Sequence, residues 1–387
     1  MTTRLRSPRR IASAAGVMIG LLGACAVLVV LMEAPGSPGV PGKSGPVVRY
    51  RRLAPAAARP SASTPAAAVG ARLMSEAAAA CGSVAYRGTQ IAVWWGSTGE
   101  SASFLEVWHR PGGAILAQPA RTAADSSDEG QPAAVVTPDQ DQVMTVTAPL
   151  LALMRANYVL TYSGRDVIDG RPAQVVEVRR RSDGGLAARF WLDTATKLPL
   201  QRELFDGKSA IFSLDDFTGL RIGAGQLRGM PAADAHPWTG QLSAVGLAAL
   251  RAAGWPLPRG LASGLALFQA TEFQATETST KSGKVVELSY SDGLSVISVF
   301  LQRGELPQRL PGWRRMTARG SKVYATDPDD RSLAWSSDGF VYTVISGAPN
   351  AAIDQAVLRL PHDSPAGFWD RMSRGFRRIV SWVNPFR

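Results

Sequence analysis

The sequence has few of the residues from which disulfide frameworks and metal sites are built. Its 387 residues include two cysteines and three histidines. Cys25 and Cys81 form no CxxC pair, which argues against a disulfide-stapled fold. The histidines show neither HxxxH nor HExxH spacing, which argues against a zinc site. The cellular compartment and the class of protein must therefore be inferred from other features.

Motifs of nucleophilic and nucleotide chemistry are also absent. The sequence holds no GxSxG elbow and no P-loop. The adjacent carboxylates Asp215-Asp216 and Asp329-Asp330 would point to opposite faces of a strand, and we interpret them as solvated turns. The sequence therefore predicts a protein that is not an enzyme and needs no cofactor.

The positive charge lies in flanking segments and not in the bulk of the chain. Residues 1–10, 34–71 and 363–387 carry net charges of +4, +5 and +3, against +11 for the whole sequence. The remainder is therefore close to neutral. This distribution suits contact with anionic lipid or another envelope polyanion better than a nucleic-acid groove.

An uncharged apolar run of 22 residues, 11–32, is long enough to cross a bilayer as a helix. Four arginines precede it within residues 1–10, so the positive-inside rule keeps that end cytoplasmic and exports the rest. Two alternatives stay open, a cleaved signal peptide and a lipoprotein lipidated at Cys25 within Leu22-Gly23-Ala24-Cys25. All three place the body outside the cytoplasm, and we expect the uncleaved anchor.

Two folded regions follow a spacer. Residues 33–71 are rich in Pro, Ala and Gly and form the predicted linker. Residues 72–225 and 235–360 each combine two short helices with many strand-like runs separated by turn signals. A first helix is expected at Leu73–Ala80. The pattern predicts an α+β fold, with a large curved antiparallel sheet and helices followed by a smaller α+β domain.

The tail, 363–387, has a composition of its own. Apolar residues recur at helical spacing among arginines, which predicts a basic amphipathic helix at the membrane surface. The alternative is a terminal helix packed on the domain. The residues assigned to the membrane surface are Trp369, Arg371, Arg374, Arg377, Arg378 and Trp382.

Aromatic residues on one face of a curved sheet are able to enclose a cavity for acyl chains. The candidates for such an apolar ligand cavity are Trp94, Trp108, Phe190 and Phe212. An ordinary core covered by the early helices is the alternative.

Two hairpin motifs carry a family resemblance. The segment 190–200 contains Trp191, Asp193, Leu198 and Pro199 in the spacing W-x-D-x-x-x-x-L-P. The second motif is Tyr290-Ser291-Asp292-Gly293. Both are similar to hairpins of the RseB/MucB family of sigma-E factor regulators, which is related to the LolA/LolB-type lipoprotein carriers.

The resemblance implies a LolA-like domain followed by a smaller domain. It also implies that the chain binds the extracytoplasmic part of a membrane-spanning anti-sigma factor and shields it from proteolysis, with release on a lipidic stress signal. The alternative implied by the wider superfamily is a lipid or lipoprotein carrier. Members of the family are soluble periplasmic proteins, whereas this sequence predicts a membrane tether and a basic tail.

Overall fold

The computed structural model describes the body of the chain. The described residues are 64–96, 99–112, 115–120, 134–136, 143–230, 238–261, 264–274, 284–307, 309–310, 312–318, 321–326 and 332–362. The predicted anchor 11–32, Cys25, the linker up to residue 63 and the tail 363–387 lie outside them. Within the described ranges, no helix is both long and apolar enough to cross a membrane.

Helix α1, Pro65–Ser83, begins earlier than the sequence predicts. The sequence places residues 65–71 in the linker and predicts the first helix at Leu73–Ala80. Thr64 caps the helix by accepting a hydrogen bond from the Ala67 N–H at 3.2 Å. Pro65 occupies the first turn, where its missing N–H costs nothing. The Ala/Pro tract therefore starts a helix because a capping threonine precedes its last proline.

The first domain is built on a nine-stranded antiparallel sheet with the order β4-β3-β2-β1-β9-β8-β7-β6-β5. Helix α2, Ala148–Asn157, leads directly into β5. The strands are β1 Tyr86–Trp95, β2 Glu100–His109, β3 Ile115–Pro119, β4 Ala134–Val136, β5 Tyr158–Ile168, β6 Arg171–Arg180, β7 Leu186–Asp193, β8 Pro199–Phe205 and β9 Ile211–Ile222.

The sheet curves strongly. Asp169 lies in the turn after edge strand β5, and its carboxylate accepts a hydrogen bond from the Gly219 N–H of β9 at 3.1 Å. Strands β5 and β9 are four positions apart in the sheet. In a flat sheet they would lie about 19 Å apart. The β5–β6 end of the sheet therefore curls back toward β9.

Helices α1 and α2 cover one face of this sheet. Leu73 and Met74 of α1 and Met154 of α2 share a buried cluster with Leu160 and Phe190 of the sheet. Gly70 lets α1 approach β5 closely, since a Cβ there would lie 2.7 Å from the Leu160 carbonyl oxygen.

The second domain holds an eight-stranded antiparallel sheet with the order β10-β11-β12-β13-β17-β16-β15-β14. A 3₁₀ turn, Ala224–Leu227, follows β9 on the way to this domain. The helices are α3 Ala244–Ala252 and α4 Asn350–Val357. The strands are β10 Trp238–Gln241, β11 Ala266–Gln274, β12 Lys284–Ser291, β13 Val296–Arg303, β14 Arg314–Ala318, β15 Ser321–Ala325, β16 Ser332–Ser337 and β17 Phe340–Ser346.

The core of the second domain is aromatic. Trp335 is stacked on Tyr342 and on His362, with ring centroids 5.2 Å and 5.0 Å apart. Trp335 also donates its indole N–H to the Pro361 carbonyl at 2.8 Å. The predicted α+β class is confirmed, with a large curved antiparallel sheet and helices followed by a smaller α+β unit.

Candidate functional site

The second family motif forms the tip of the β12–β13 hairpin. Tyr290 is buried and donates its hydroxyl to the Pro258 carbonyl at 2.8 Å. Ser291 donates to the Ser295 carbonyl at 2.7 Å and accepts from the Gly293 N–H at 2.9 Å. Asp292 Oδ1 accepts from the N–H groups of Leu294 and Ser295 at 2.9 Å and 3.1 Å. The bonds of Ser291 and Asp292 lie within the tip, so they stabilise its conformation without contacts from the first domain.

This tip lies against the first domain. Tyr158, the first residue of β5, donates its hydroxyl to Asp292 Oδ2 at 2.6 Å. Asn157, the last residue of α2, donates its side-chain amide to the Asp292 carbonyl at 3.0 Å. Burial raises the pKa of the Tyr158 hydroxyl, and the neighbouring Asp292 carboxylate raises it further. Tyr158 therefore stays a neutral donor, and one aspartate receives bonds from two consecutive residues of the other domain.

Leu294 gives the same junction an apolar part. It is buried and belongs to the cluster of the first domain that contains Val146, Leu151 and Phe190. Burying one leucine side chain contributes about 1.5–3 kcal/mol. The hairpin of one domain thus completes the core of the other.

Gly293 is required by close approach as well as by backbone shape. Its φ is +102°, a region that L residues rarely adopt. A Cβ at this position would lie 2.2 Å from the Met154 nitrogen and 2.5 Å from the Met154 Cα. From the sequence alone, Asp292-Gly293 indicates only a turn. Its contacts with Met154, Asn157 and Tyr158 depend on the tertiary structure, and no local sequence pattern predicts them.

The first family motif forms the β7–β8 hairpin. Asp193 ends β7, and its Oδ2 accepts from the Thr196 hydroxyl at 2.6 Å and the Thr196 N–H at 3.2 Å. Trp191 is buried and donates its indole N–H to Asp166 of β5 at 3.1 Å. Leu198 is buried and Pro199 begins β8. Each motif residue therefore has a role in building the sheet.

The adjacent carboxylates of β9 differ from the sequence prediction. The sequence predicts that Asp215 and Asp216 are solvated turn residues, yet both lie inside strand β9. Asp215 is buried and accepts from Arg202 at 2.9 Å and from Gln90 at 3.2 Å. Burial and the nearby Asp169 and Asp215 raise the pKa of Asp216 to about 7. The prediction was wrong because the charge on Asp215 is compensated by a partner from another strand.

A second buried charge row crosses the same sheet. Arg189 of β7 donates to Glu177 of β6 at 3.2 Å and to Glu203 of β8 at 3.3 Å. Arg179 also contacts Glu177, at 2.7 Å. Opposite charges on neighbouring strands stabilise one pairing register, because a slip would place like charges side by side.

The four aromatic residues assigned to a ligand cavity occupy different environments. Phe190 is buried in the cluster beneath α1 and α2, and Phe212 packs at its edge. Trp108 is buried with the Arg87 guanidinium 5.2 Å from its ring centre. Trp94 is half-buried in β1. The structure does not gather all four around one open space within the described residues.

A small cavity does lie where the two domains meet. Its volume is about 10 Å³, close to the room needed for one water molecule. Phe190, Met154 and Leu150 line it from the first domain, and Gly293, Leu294 and Val296 from the second. The burial of Phe190 fits the alternative of an ordinary core covered by the helices. An acyl-chain site stays a prediction.

Other reactive side chains of the described residues are part of the packed structure. Across the described ranges, no group of three or more His, Cys, Asp or Glu side chains is arranged to hold a metal ion. Cys81 is buried in α1, and burial raises the pKa of its thiol. His109 contacts the Val84 carbonyl at 2.7 Å and stacks on Tyr86.

The fold and the two hairpins define a two-domain α+β protein with a curved first sheet. Residues 125–239 match the family model described as the MucB/RseB N-terminal domain. This match confirms the resemblance of the chain to the RseB/MucB family. Helix α1 and strands β1–β3 precede the matched segment.

Three solved structures are similar to this chain. A MucA/MucB complex from Pseudomonas aeruginosa is 22% identical, covers 76% of this chain and 100% of that chain, and has a TM-score of 0.44. A crystal structure of MucB is 20% identical, covers 75% of this chain and 97% of that chain, and has a TM-score of 0.49. MucB in complex with MucA(peri) is 21% identical, covers 76% and 99%, and has a TM-score of 0.43. No curated protein matches the chain.

Proposed function

We propose that this chain is an extracytoplasmic binding protein that regulates a stress sigma factor by holding a membrane-spanning anti-sigma factor. The family match over residues 125–239 is the observation that carries this proposal. The solved relative described as MucB in complex with MucA(peri) supports the choice of partner class. A binding role rather than an enzymatic one is part of the same proposal.

The predicted anchor fits this role. If residues 11–32 remain in the membrane, the two domains stay close to any partner in the same bilayer. Tethering raises the effective concentration of the partner, so that a modest intrinsic affinity suffices. The basic tail, with its six residues assigned to the membrane surface, would add a second contact with anionic lipid.

The proposal is tested by capture from native membranes. A C-terminally tagged full chain is crosslinked in cells, purified from solubilised membranes and analysed by mass spectrometry. We expect a single-pass membrane protein that carries a sigma-factor-binding segment, crosslinked through its extracytoplasmic part.

The matched control is residues 1–63 fused to an unrelated globular domain. This fusion keeps the anchor and the linker and lacks both folded domains. Recovery of the same protein by the fusion would mean capture through the membrane segment. Failure of the full chain to crosslink any anti-sigma factor would contradict the proposal.

We also propose that the first domain senses a lipid. The cavity at the domain junction is far smaller than an acyl chain requires, so a lipid would have to open the first domain before it entered. Native mass spectrometry of the full chain released from anionic-lipid nanodiscs tests this directly. The LolA-type carrier remains the alternative, and it requires a bound lipid that exchanges between membranes.

A further inference from the structure

We propose that the tip of the β12–β13 hairpin, Ser291–Ser295, is an interdomain latch. In the closed state the tip is joined to α2 and β5, and the two domains have one relative orientation. In the open state the tip has left α2 and the domains move independently. The proposal concerns the chain alone and does not depend on the identity of any partner.

The closed state is specified by a small set of contacts. Asp292 receives hydrogen bonds from Tyr158 at 2.6 Å and from Asn157 at 3.0 Å. Leu294 is the residue of the second domain that enters the buried cluster beneath α1 and α2. Helix α2 also contacts β11, and Gly264 lies close to the Asn157 side chain. The junction as a whole still has fewer contacts than the inside of either domain, so it opens more easily than a core.

The tip is able to leave without unfolding its own hairpin. Its internal bonds, from Leu294 and Ser295 to Asp292 Oδ1 and from Gly293 to Ser291, involve no residue of the first domain. Strands β12 and β13 pair over seven positions, from Val285 opposite Gln302 to Ser291 opposite Val296. The hairpin is therefore a preformed unit that docks as a rigid body.

The chain between the domains supplies a hinge. Gly223 and Gly229 flank the 3₁₀ turn Ala224–Leu227, and their φ values are +118° and +74°. Neither glycine has another atom within 4 Å of the position of a Cβ. The Gly223 N–H donates to the Ala85 carbonyl at 2.8 Å, so the turn is attached to the first domain at that end and Gly229 marks the other end of the hinge. Hinges form at such element ends, where a few residues absorb the change in backbone angles.

The junction between the tip and α2 has room for about one water molecule. The cavity of about 10 Å³ lies between the tip and α2, with walls from both domains. Opening would expose Leu294 together with Leu150 and Met154, and closing would bury them again. The latch thus couples domain orientation to burial of one apolar patch.

The test is hydrogen exchange measured by mass spectrometry on the full chain in nanodiscs. Tyr158→Phe removes the hydroxyl that bonds Asp292 and leaves the ring in place. We expect the amides of the tip and of the last turn of α2 to exchange at least about tenfold faster, while those of β7 and β13 are unchanged. Tyr162→Phe is the matched control, because Tyr162 lies on the same strand and packs at the edge of the cluster beneath α1 and α2.

Gly293→Ala tests the latch sterically. A Cβ there meets the Met154 backbone, whereas at Gly339, in a turn of the same domain with φ +77°, it meets nothing. Both variants carry the backbone strain, so faster exchange in α2 with Gly293→Ala but not with Gly339→Ala supports the latch. Equal exchange in α2 for Tyr158→Phe and Tyr162→Phe, or for the two glycine variants, would overturn it.

Discussion

Arg202 of β8 and Asp215 of β9 form an ion pair inside the first domain, with Nη2 and Oδ2 2.7 Å apart. Both side chains are more than nine-tenths buried. Gln90 of β1 donates to the other carboxylate oxygen and accepts from the Met144 N–H at 2.8 Å. The ion pair joins β8 to β9, and Gln90 connects it to β1 and to the loop at Met144.

Removing one partner of this pair should be strongly destabilising. Arg202→Met leaves the Asp215 carboxylate buried without its cation, and such losses cost about 3–5 kcal/mol. The double variant Arg202→Met/Asp215→Leu should be less destabilised than the sum of its single variants, because no uncompensated charge remains. Urea unfolding followed by circular dichroism measures both.

The surface pair of Arg72 and Glu76 in α1 provides the comparison. Its atoms are 3.6 Å apart, and both side chains are exposed to solvent. Arg72→Met should change stability by less than about 0.5 kcal/mol. A loss as large as that of Arg202→Met would mean that burial is not what makes the Arg202–Asp215 pair important.

Glu287 makes the stability of the second domain depend on pH. The carboxyl group is buried, accepts from the Ser298 hydroxyl at 2.9 Å, and has a pKa raised by burial from 4.5 to about 7. The folded state therefore binds the proton more tightly than the unfolded state, and stability should fall as pH rises from 4.5 through 7. Glu287→Gln should gain about 3 kcal/mol over the wild type at pH 8 and nothing below pH 4.

Thermal unfolding at a series of pH values checks this expectation. Glu305→Gln, at an exposed position, is the control and should leave the pH profile of the wild type unchanged. A Glu287→Gln profile parallel to that of the wild type would contradict the assignment of the pH dependence to this carboxyl group.

Two glycines of α1 should respond in opposite directions to the same substitution. Alanine is the better helix former, so Gly82→Ala, with open space around the new Cβ, should stabilise by about 0.5–1 kcal/mol. Gly70→Ala would place its Cβ 2.7 Å from the Leu160 carbonyl oxygen and should destabilise instead. Stabilisation by both would show that α1 does not pack closely on β5.

The start of α1 can be tested by truncation. A chain beginning at residue 72 lacks the Thr64 cap and the buried Ala67 and Gly70, whereas one beginning at residue 64 keeps them. We expect the shorter chain to melt at a lower temperature by several degrees, as the loss of one cap alone costs about 1 kcal/mol. Equal melting temperatures would mean that residues 64–71 do not stabilise the folded domain and belong to the linker.

Much of the architecture follows from local pattern. Turn signals such as Asp169-Gly170 and Asp183-Gly184 separate strands where the sequence predicts them, because those residues tolerate turn conformations. The sequence predicts the start of α1 too late, because proline usually interrupts a helix. Here Pro65 occupies the first turn, where proline is tolerated. The environment of Asp215 escaped prediction because its partner Arg202 comes from another strand.

The sequence by itself determined the α+β fold class, the hairpin motifs of the family and the location of the positive charge in the flanking segments. Each of these depends on residues that are neighbours along the chain. Only the tertiary structure decided what the hairpin motifs contact. Asp292 and Gly293 indicate a turn in any context, and the bonds that Asp292 accepts from Tyr158 and Asn157 arise because folding brings together residues 134 and 135 positions apart. Long-range contacts of this kind leave no periodicity in the sequence, because they depend on how two finished domains fit together.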